Sequence, residues 1–235
     1  MTSILAIREP TPIPRKLHQV WVGSTPPPWV YENWARWVPL LPDWEINYWT
    51  DANAEEWPLS SRLAGRCKHP AILADLVRLE QVSKYGGIYI DSDTRALRSL
   101  EPLAGDRRPW VAPSKAYGEA ADSKSTLNNA AFGMYPGHPL LAAVWANAQR
   151  RARNGLLTSR AAGPHAWEAA VLTLEDSEQI EELDPLSFTG VRLAERQRVT
   201  SMSTADLFRR FPDTYAIHEF DLSWNAMAHS VHEAV

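Results

Sequence analysis

The chain has 235 residues, with 24 basic and 28 acidic side chains and a formal net charge of −4. This balance gives no global positive field, so bulk charge favours neither a nucleic-acid partner nor an acidic membrane surface. No apolar run approaches the ~20 residues that span a bilayer, and the single cysteine, Cys67, excludes an intrachain disulfide. We therefore expect a soluble, cytoplasmic protein without a transmembrane segment.

The chain contains no repeat, low-complexity tract or linker that would divide it. Residues 1–12, with prolines at positions 10 and 12, predict a flexible N-terminal arm. Residues 13–235 predict one domain, which is the usual organisation for this length.

Strands and helices alternate along the first hundred residues. Strands are predicted where apolar and polar β-formers alternate, and helices where apolar residues recur at three- and four-residue steps. The predicted elements are strand 16–23, helix 29–38, strand 44–51, a helix over 53–66 interrupted at Pro58, a helix from His69-Pro70 to Gly86-Gly87, and strand 87–91.

The later elements are less sharply patterned. They are strand 109–113, a polar loop over 116–125, strand 128–136, helices from 138 to about 153 and over 163–176, a solvated face at 175–182, strand material at 185–200, and a C-terminal segment at 215–224. The order predicts an α/β fold with a largely parallel sheet, in which ligands bind beyond the carboxyl ends of the strands.

A basic run, QRRARNG at 149–155, falls at the end of one predicted helix. Favourable interaction of cations with the helix dipole is sufficient to explain it. A role in binding an acceptor molecule is the alternative.

Two aspartates, Asp91 and Asp93, end the predicted strand 87–91 or follow it directly. In an extended strand, positions i and i+2 point to the same face, which would place these carboxylates roughly 6–7 Å apart at ~3.3 Å of rise per residue. Oxygen ligands of this kind suit Mg²⁺ and Mn²⁺. The pattern predicts a metal site that binds the phosphates of a nucleotide.

Asp75 and Arg78 lie three residues apart on the helix that precedes this strand. Residues at this spacing share one helix face. Arginine donates to phosphate or sugar oxygens, and aspartate accepts from hydroxyls. A surface ion pair is the alternative interpretation of these two residues taken alone.

Read together, ADLVR (74–78) and YGGIYIDSD (85–93) resemble glycosyltransferases with a DXD-containing sugar-binding region. That group includes the yeast-type initiating α-1,6-mannosyltransferases and, more distantly, the glucosylating domain of large clostridial toxins. Further segments resemble the same family in the same order: IPRKLHQVWVG (13–23), NAAFGMYPGHPLL (129–141), Gly163-Pro164, and IHEF-x-x-SW (217–224).

The resemblance implies a GT-A fold, a nucleotide-sugar donor, Mn²⁺ or Mg²⁺, and retention of anomeric configuration. The residues it implies for catalysis are Asp75, Arg78, Asp91 and Asn129, with Asn128 as a substitute for Asn129. Those implied for donor binding are Gln19, Trp21, Val22, Asp75, Arg78, Tyr89, Asp91, Ser223 and Trp224. Those implied for the metal are Asp93, Asp91, Ser223 and His218.

We expect transfer of a hexose, with a UDP-linked donor favoured over GDP-mannose, to a hydroxyl of a glycan, lipid-linked or protein acceptor. Charge growing on the leaving phosphate would be neutralised by the metal and Arg78. Because no nucleophile stands out in the sequence, we favour front-face attack by the acceptor hydroxyl.

Three other functions use similar residues. A phosphohydrolase of the haloacid dehalogenase type also has an Asp-x-Asp at a strand end, but it wants Thr or Val where this chain has Arg95. An inverting glycosidase needs carboxylates that straddle the scissile bond. A non-catalytic sugar-binding protein would use the tryptophan-rich surface.

Overall fold

The structure, a computed structural model, describes residues 11–114, 126–175, 179–184, 186–190, 199 and 201–218. Its strands are β1 (Lys16–Trp21), β2 (Glu45–Thr50), β3 (Gly87–Ile90), β4 (Thr94–Ala96), β5 (Trp110–Ser114), β6 (Thr126–Met134), β7 (Glu181–Glu182), β8 (Phe188–Gly190) and β9 (Ala216–His218). Its helices are α1 (Pro28–Trp37), α2 (Pro58–Ser61), α3 (Pro70–Tyr85), α4 (Pro139–Arg153), α5 (Pro164–Val171) and α6 (Thr204–Arg210).

The main sheet has six strands in the order β2-β1-β3-β6-β5-β7. Strand β1 is parallel to both β2 and β3, and β5 is parallel to β7, whereas β6 is antiparallel to β3 and β5. Five strands therefore run in one direction and β6 runs against them. The predicted α/β class with a largely parallel sheet is confirmed.

The glycine pair after α3 places β3 beside β1. Gly86 and Gly87 have φ angles of +64° and +109°, a region in which side chains other than glycine are strained. A Cβ at Gly86 would lie 2.5 Å from Pro136 Cδ, and one at Gly87 would lie 2.6 Å from the Lys16 carbonyl oxygen. The turn therefore needs glycine at both positions.

The sheet separates two parts of the core. Leu17, Ile88 and Ile90 point to one face, and Val20 and Tyr89 point to the other face, which α3, α4 and α5 cover. This alternation is the period-two pattern of a strand. The register of β1 and β3 is set by their pairing, in which Leu17 lies opposite Ile88 and His18 lies opposite Tyr89.

A second sheet, in the order β4-β9-β8, was not predicted. Strands β4 and β7 and helix α6 were missed, and β7 forms within the segment predicted as a solvated face. Within the segment predicted as strand material at 185–200, the described residues form β8, and Val199 is helical. The predicted helix over 53–66 is a set of short turns around α2, at Asp51–Glu56 and Ala64–Arg66.

Some predictions fall on residues outside the described part of the chain. These are the arm apart from residues 11 and 12, the polar loop at 116–125, parts of the segments predicted at 163–182 and 185–200 (residues 176–178, 185, 191–198 and 200), and positions 219–224. Among the described helices, none is both long and apolar enough to cross a membrane.

Candidate active site

The Asp91-Ser92-Asp93 segment follows β3 and leads directly into β4. Sequence analysis placed both aspartates along an extended strand, and this is wrong in detail because β3 ends at Ile90. The Asp91 amide still donates to the Ala130 carbonyl at 2.8 Å, but Ser92 and Asp93 form a turn. The turn, rather than strand geometry, brings the two carboxylates to one place.

Ser92 fixes this turn to the rest of the fold. Its hydroxyl donates to the Val20 carbonyl at 2.9 Å and accepts from Trp34 Nε1 at 3.1 Å. Its carbonyl accepts from Asn33 Nδ2 at 3.3 Å. Because Ser92, Trp34 and Asn33 are all buried, these bonds are shielded from water. Sequence reasoning missed this role, although a serine between two aspartates was the available signal.

His218 reaches the two aspartates from the second sheet, since β9 pairs with β4 and His218 lies opposite Thr94. Its Nε2 is 3.0 Å from Asp93 Oδ1 and 3.7 Å from Asp91 Oδ2. Burial lowers the pKa of His218, but the Asp93 and Asp91 carboxylates together raise it by more, and the net pKa is raised.

Asp91, Asp93 and His218 each offer a ligand atom, and these atoms lie within 4.8 Å of one another. This group of three is called the acidic cluster below. Two carboxylates and an imidazole form a ligand set that hard and intermediate divalent cations accept.

Arg78 joins the acidic cluster to Asp75. One terminal nitrogen of its guanidinium is 3.0 Å from Asp91 Oδ1 and donates to the Asn129 carbonyl at 2.6 Å. The other lies 3.3 Å from Asp75 Oδ1. Burial lowers the pKa of Arg78, but Asp91 and the other nearby acidic groups raise it by more. Arg78 is therefore a permanent cation with two carboxylate partners.

The Asp75 carboxyl also accepts from Asn129 Nδ2 at 2.7 Å, and that amide donates in addition to the Ala162 carbonyl at 3.3 Å. Burial raises the pKa of Asp75 to about 6, although Arg78 opposes the change. The structure thus brings together Asp75, Arg78, Asp91 and Asn129, the four residues that the resemblance implies for catalysis.

Tyr89 contacts the acidic cluster through Asp91. Its hydroxyl donates to Asp91 Oδ1 at 2.6 Å, and the Arg78 guanidinium lies over its ring at 4.4 Å. The predicted orientation of Tyr89 toward Asp91 is what the structure shows. Burial raises the pKa of the Asp91 carboxyl, Arg78 lowers it and Asp93 raises it, with a net increase.

Three of the residues implied for donor binding, Gln19, Trp21 and Val22, lie on β1 and just after it. Trp21 is half-buried, packs edge-on against Trp29 at 5.4 Å and donates to Ser24 Oγ at 3.2 Å. Val22 is buried. Gln19 is also buried, and its Nε2 donates to the Asp91 carbonyl at 3.5 Å. Gln19 therefore contacts the backbone of the acidic cluster.

Asn128, Ser223 and Trp224 are also among the predicted site residues. The Asn128 side chain accepts from the Ala130 amide at 3.1 Å and, with His218 and Thr94, lines a small cavity of about 20 Å³. Ser223 and Trp224 lie outside the described residues.

The sheet and the site together describe an α/β domain with clustered acidic side chains and an Asp-Arg pair near the carboxyl end of β3. Residues 29–110 match the family model described as a glycosyltransferase sugar-binding region containing a DXD motif. That range includes Asp75, Arg78, Asp91 and Asp93. The predicted resemblance to that family is confirmed over these residues.

Individual relatives agree with this class. The chain is 33% identical over 148 residues to inositol phosphoceramide mannosyltransferase 3 of Schizosaccharomyces pombe, covering 60% of this chain and 39% of the relative. It is 34% identical over 100 residues to mannosyl phosphorylinositol ceramide synthase SUR1 of Saccharomyces cerevisiae, covering 40% and 26%. The matches therefore span well under half of these yeast proteins.

A solved structure supports the fold. The PaToxG glycosyltransferase superposes with a TM-score of 0.54 at 16% identity, covering 69% of this chain and 70% of that one. At this identity the likeness concerns the fold alone, and it confirms the predicted GT-A architecture.

Proposed function

We propose that this protein is a retaining, metal-dependent glycosyltransferase that moves a hexose from a nucleotide-sugar to an acceptor hydroxyl. The observation that carries the proposal is the charge of the site. Asp75, Asp91 and Asp93 supply three carboxylates; Arg78 is the guanidinium partner of Asp75 and Asp91, and His218 lies beside Asp93. The raised pKa values of Asp75 and Asp91 are the expected sign of unneutralised negative charge under burial.

Asp91, Asp93 and His218 are the residues that would hold Mn²⁺ or Mg²⁺. Their oxygen and nitrogen donors fit the group, with the imidazole favouring Mn²⁺ over Mg²⁺. When bound, such an ion supplies positive charge where a diphosphate leaves. Ser223 stays a predicted further ligand.

Arg78 orients the carboxylates in this proposal. Its contacts to Asp91 and Asp75 hold both side chains at fixed angles, and Tyr89 holds the same Asp91 oxygen that Arg78 contacts. The second oxygen of Asp91 then faces His218. Orientation of this kind keeps the cost of reorganising the site low during reaction.

Asp75 and Asn129 would bind hydroxyls of the donor sugar. The pKa of Asp75 is raised to about 6. Its ionised carboxylate accepts a hydrogen bond from a sugar hydroxyl, and its protonated form, populated toward pH 6, can donate one. Gly163 leaves room there, since a Cβ would lie 3.6 Å from Asp75 Oδ2 and only 2.5 Å from the Ser159 carbonyl.

The charge-assisted contacts of Asp75 and Asp91 with Arg78 weaken both carboxylates as nucleophiles. We therefore retain front-face attack by the acceptor hydroxyl, with the departing phosphate taking its proton. A covalent glycosyl ester on either aspartate, detected by mass spectrometry of the intact protein, would contradict this mechanism.

Donor and acceptor identity are also part of the proposal. The sequence favours a UDP-hexose, whereas the names of both yeast relatives refer to mannosyl transfer and to an inositol-phosphate ceramide. These names support testing GDP-mannose beside the UDP-hexoses, and lipid-linked acceptors beside glycans and proteins. A cytoplasmic location remains a prediction.

Titration calorimetry with a panel of UDP- and GDP-sugars, with and without Mn²⁺, tests the proposed function. We expect Mn²⁺-dependent binding of one donor class, with slow donor hydrolysis that Asp93→Ala abolishes while the protein stays folded. Asp43→Ala, an exposed aspartate distant in sequence from the site, is the matched control. Glycan binding without any metal-dependent nucleotide affinity would instead indicate a non-catalytic sugar-binding protein.

A further inference from the structure

A polar cavity lies on the side of the fold that α4 and α5 form. It has a volume of about 270 Å³ and lies between α4 and α5. Its polar lining consists of Asn147 and Arg151 from α4, Arg160 from the connecting loop, and His165 from the first turn of α5. These four residues are called the basic cleft below.

The basic cleft has an excess of positive charge. Within the described part of the chain, no carboxylate pairs with Arg151 or Arg160, although ion pairs occur elsewhere on the surface, as between Arg107 and Glu181. His165 is 3.5 Å from Glu168, one turn along α5. The positive end of the α5 dipole adds to the field at His165.

Hydrogen bonds of Asn147 hold the basic cleft together. Asn147 Nδ2 donates to the carbonyls of Arg160 and Ala161 at 3.1 and 2.8 Å. Arg150 donates to Asn147 Oδ1 at 2.7 Å and so fixes the amide orientation. The loop that presents Arg160 is therefore tied to α4.

The same loop continues into the sugar side of the active site. Ala162, two residues after Arg160, accepts through its carbonyl from Asn129, the residue that also donates to Asp75. Gly163 then lies beside Asp75 Oδ2. Arg160 and Gly163 are three residues apart, so their Cα atoms lie within ~11 Å of each other.

We propose that the basic cleft binds a phosphate group of the acceptor, so that the acceptor is a phosphate-bearing molecule whose hydroxyl is glycosylated beside Asp75. This inference rests on the proposed function, because it assigns one end of the acceptor in that reaction. Guanidinium groups match phosphate oxygens with paired donors, and the apolar parts of Ala166 and Ala169 close the side of the cleft.

The competing explanation is that these arginines only offset the dipole at the end of α4. That explanation covers Arg151 and Arg153, which lie in the last turn, but it does not cover Arg160 and His165, which belong to other elements. It also predicts no difference between Arg151 and Arg153 toward a phosphate ligand.

Binding of sn-glycerol 3-phosphate to the full chain in EDTA, measured by calorimetry, tests the proposal. Glycerol is the uncharged control, and EDTA removes metal from the acidic cluster. We compare unaltered protein with Arg151→Gln/Arg160→Gln and with Arg36→Gln/Arg153→Gln. The second pair removes the same charge from exposed arginines outside the cleft.

We expect the cleft variant to bind sn-glycerol 3-phosphate about tenfold more weakly or worse, and the control variant to bind like unaltered protein. Equal weakening in both variants, or no phosphate binding by the unaltered protein, would overturn the proposal. Circular dichroism and thermal melting establish that each variant is folded.

Flotation with phosphatidylcholine vesicles containing phosphatidylglycerol distinguishes the two sources of phosphate. Cleft-dependent flotation supports a lipid headgroup, and soluble binding without flotation supports a phosphorylated glycan or polyol. Donor hydrolysis by the unaltered protein is measured in parallel. Its absence would contradict the proposed function, whereas loss of cleft-specific phosphate binding contradicts only this inference.

Discussion

The acidic cluster and the basic cleft belong to the same fold, and they are built in opposite ways. In the cluster, the partly buried Asp91 and Asp93 lie within 3.0 Å of Tyr89, Arg78 or His218. In the cleft, Arg151 and Arg160 are exposed, and no described carboxylate pairs with either. One region fixes charges in place, and the other presents them to solvent.

The difference explains how the two regions respond to perturbation. Buried charges interact strongly and are little screened, whereas exposed charges are screened by salt over ~8–10 Å. Substitutions in the cluster should therefore change stability and metal binding together. Substitutions in the cleft should change ligand binding alone, and added salt should weaken that binding.

The largest expected effect comes from Arg78→Met. Removing the guanidinium leaves Asp75 and Asp91 buried without their cationic partner, which typically destabilises a fold by about 3–5 kcal/mol. Urea unfolding in EDTA measures this loss.

Arg78→Lys is the control for that prediction, because it keeps the positive charge but not the planar geometry that spans two carboxylates. We expect a clearly smaller loss for Arg78→Lys than for Arg78→Met. Equal losses in the two variants would show that packing, rather than charge, makes Arg78 important.

His18 provides a buried histidine that contrasts with His218. Trp49 Nε1 donates to its Nδ1 at 3.1 Å, so its Nε2 carries the proton and donates to the Gly86 carbonyl at 2.8 Å. Burial lowers the pKa of His18 to about 4, with the Gly86 bond acting in the opposite direction. His18 is therefore neutral in the folded protein at neutral pH.

Because the folded pKa of His18 lies below the unfolded value of about 6.5, the unfolded chain takes up its proton first as pH falls. This residue should remove about 2 kcal/mol of stability between pH 7 and pH 5. His18→Gln should abolish this part of the pH dependence, and His165→Gln, at an exposed histidine, should retain it. Urea unfolding at the two pH values measures both.

The elements predicted most accurately from the sequence are those with strong local patterns. Strand β2 and helix α3 were predicted within one or two residues, since periodicity and the Gly86-Gly87 turn define them. Strands β4 and β7 have three and two residues, too few to show a period. The position of His218 beside Asp93 depends on the pairing of β9 with β4, which no local pattern contains.

The smallest expected effect comes from Trp34→Phe, which removes the bond to Ser92 Oγ but keeps an aromatic ring against Tyr48. We expect a loss of about 1 kcal/mol and a roughly fivefold weaker Mn²⁺ affinity, because the turn between the aspartates loses an anchor. Trp145→Phe on α4 is the control. A similar loss of stability without a change in Mn²⁺ affinity would show that Ser92 is only structural.

The most direct test of the acidic cluster is a Mn²⁺ titration followed by electron paramagnetic resonance of the free ion. The account predicts one Mn²⁺ bound per chain, an affinity reduced by about 10²-fold or more in Asp93→Asn, and no change in Asp43→Asn. Failure of the unaltered protein to bind Mn²⁺, or unchanged binding by folded Asp93→Asn, would contradict it.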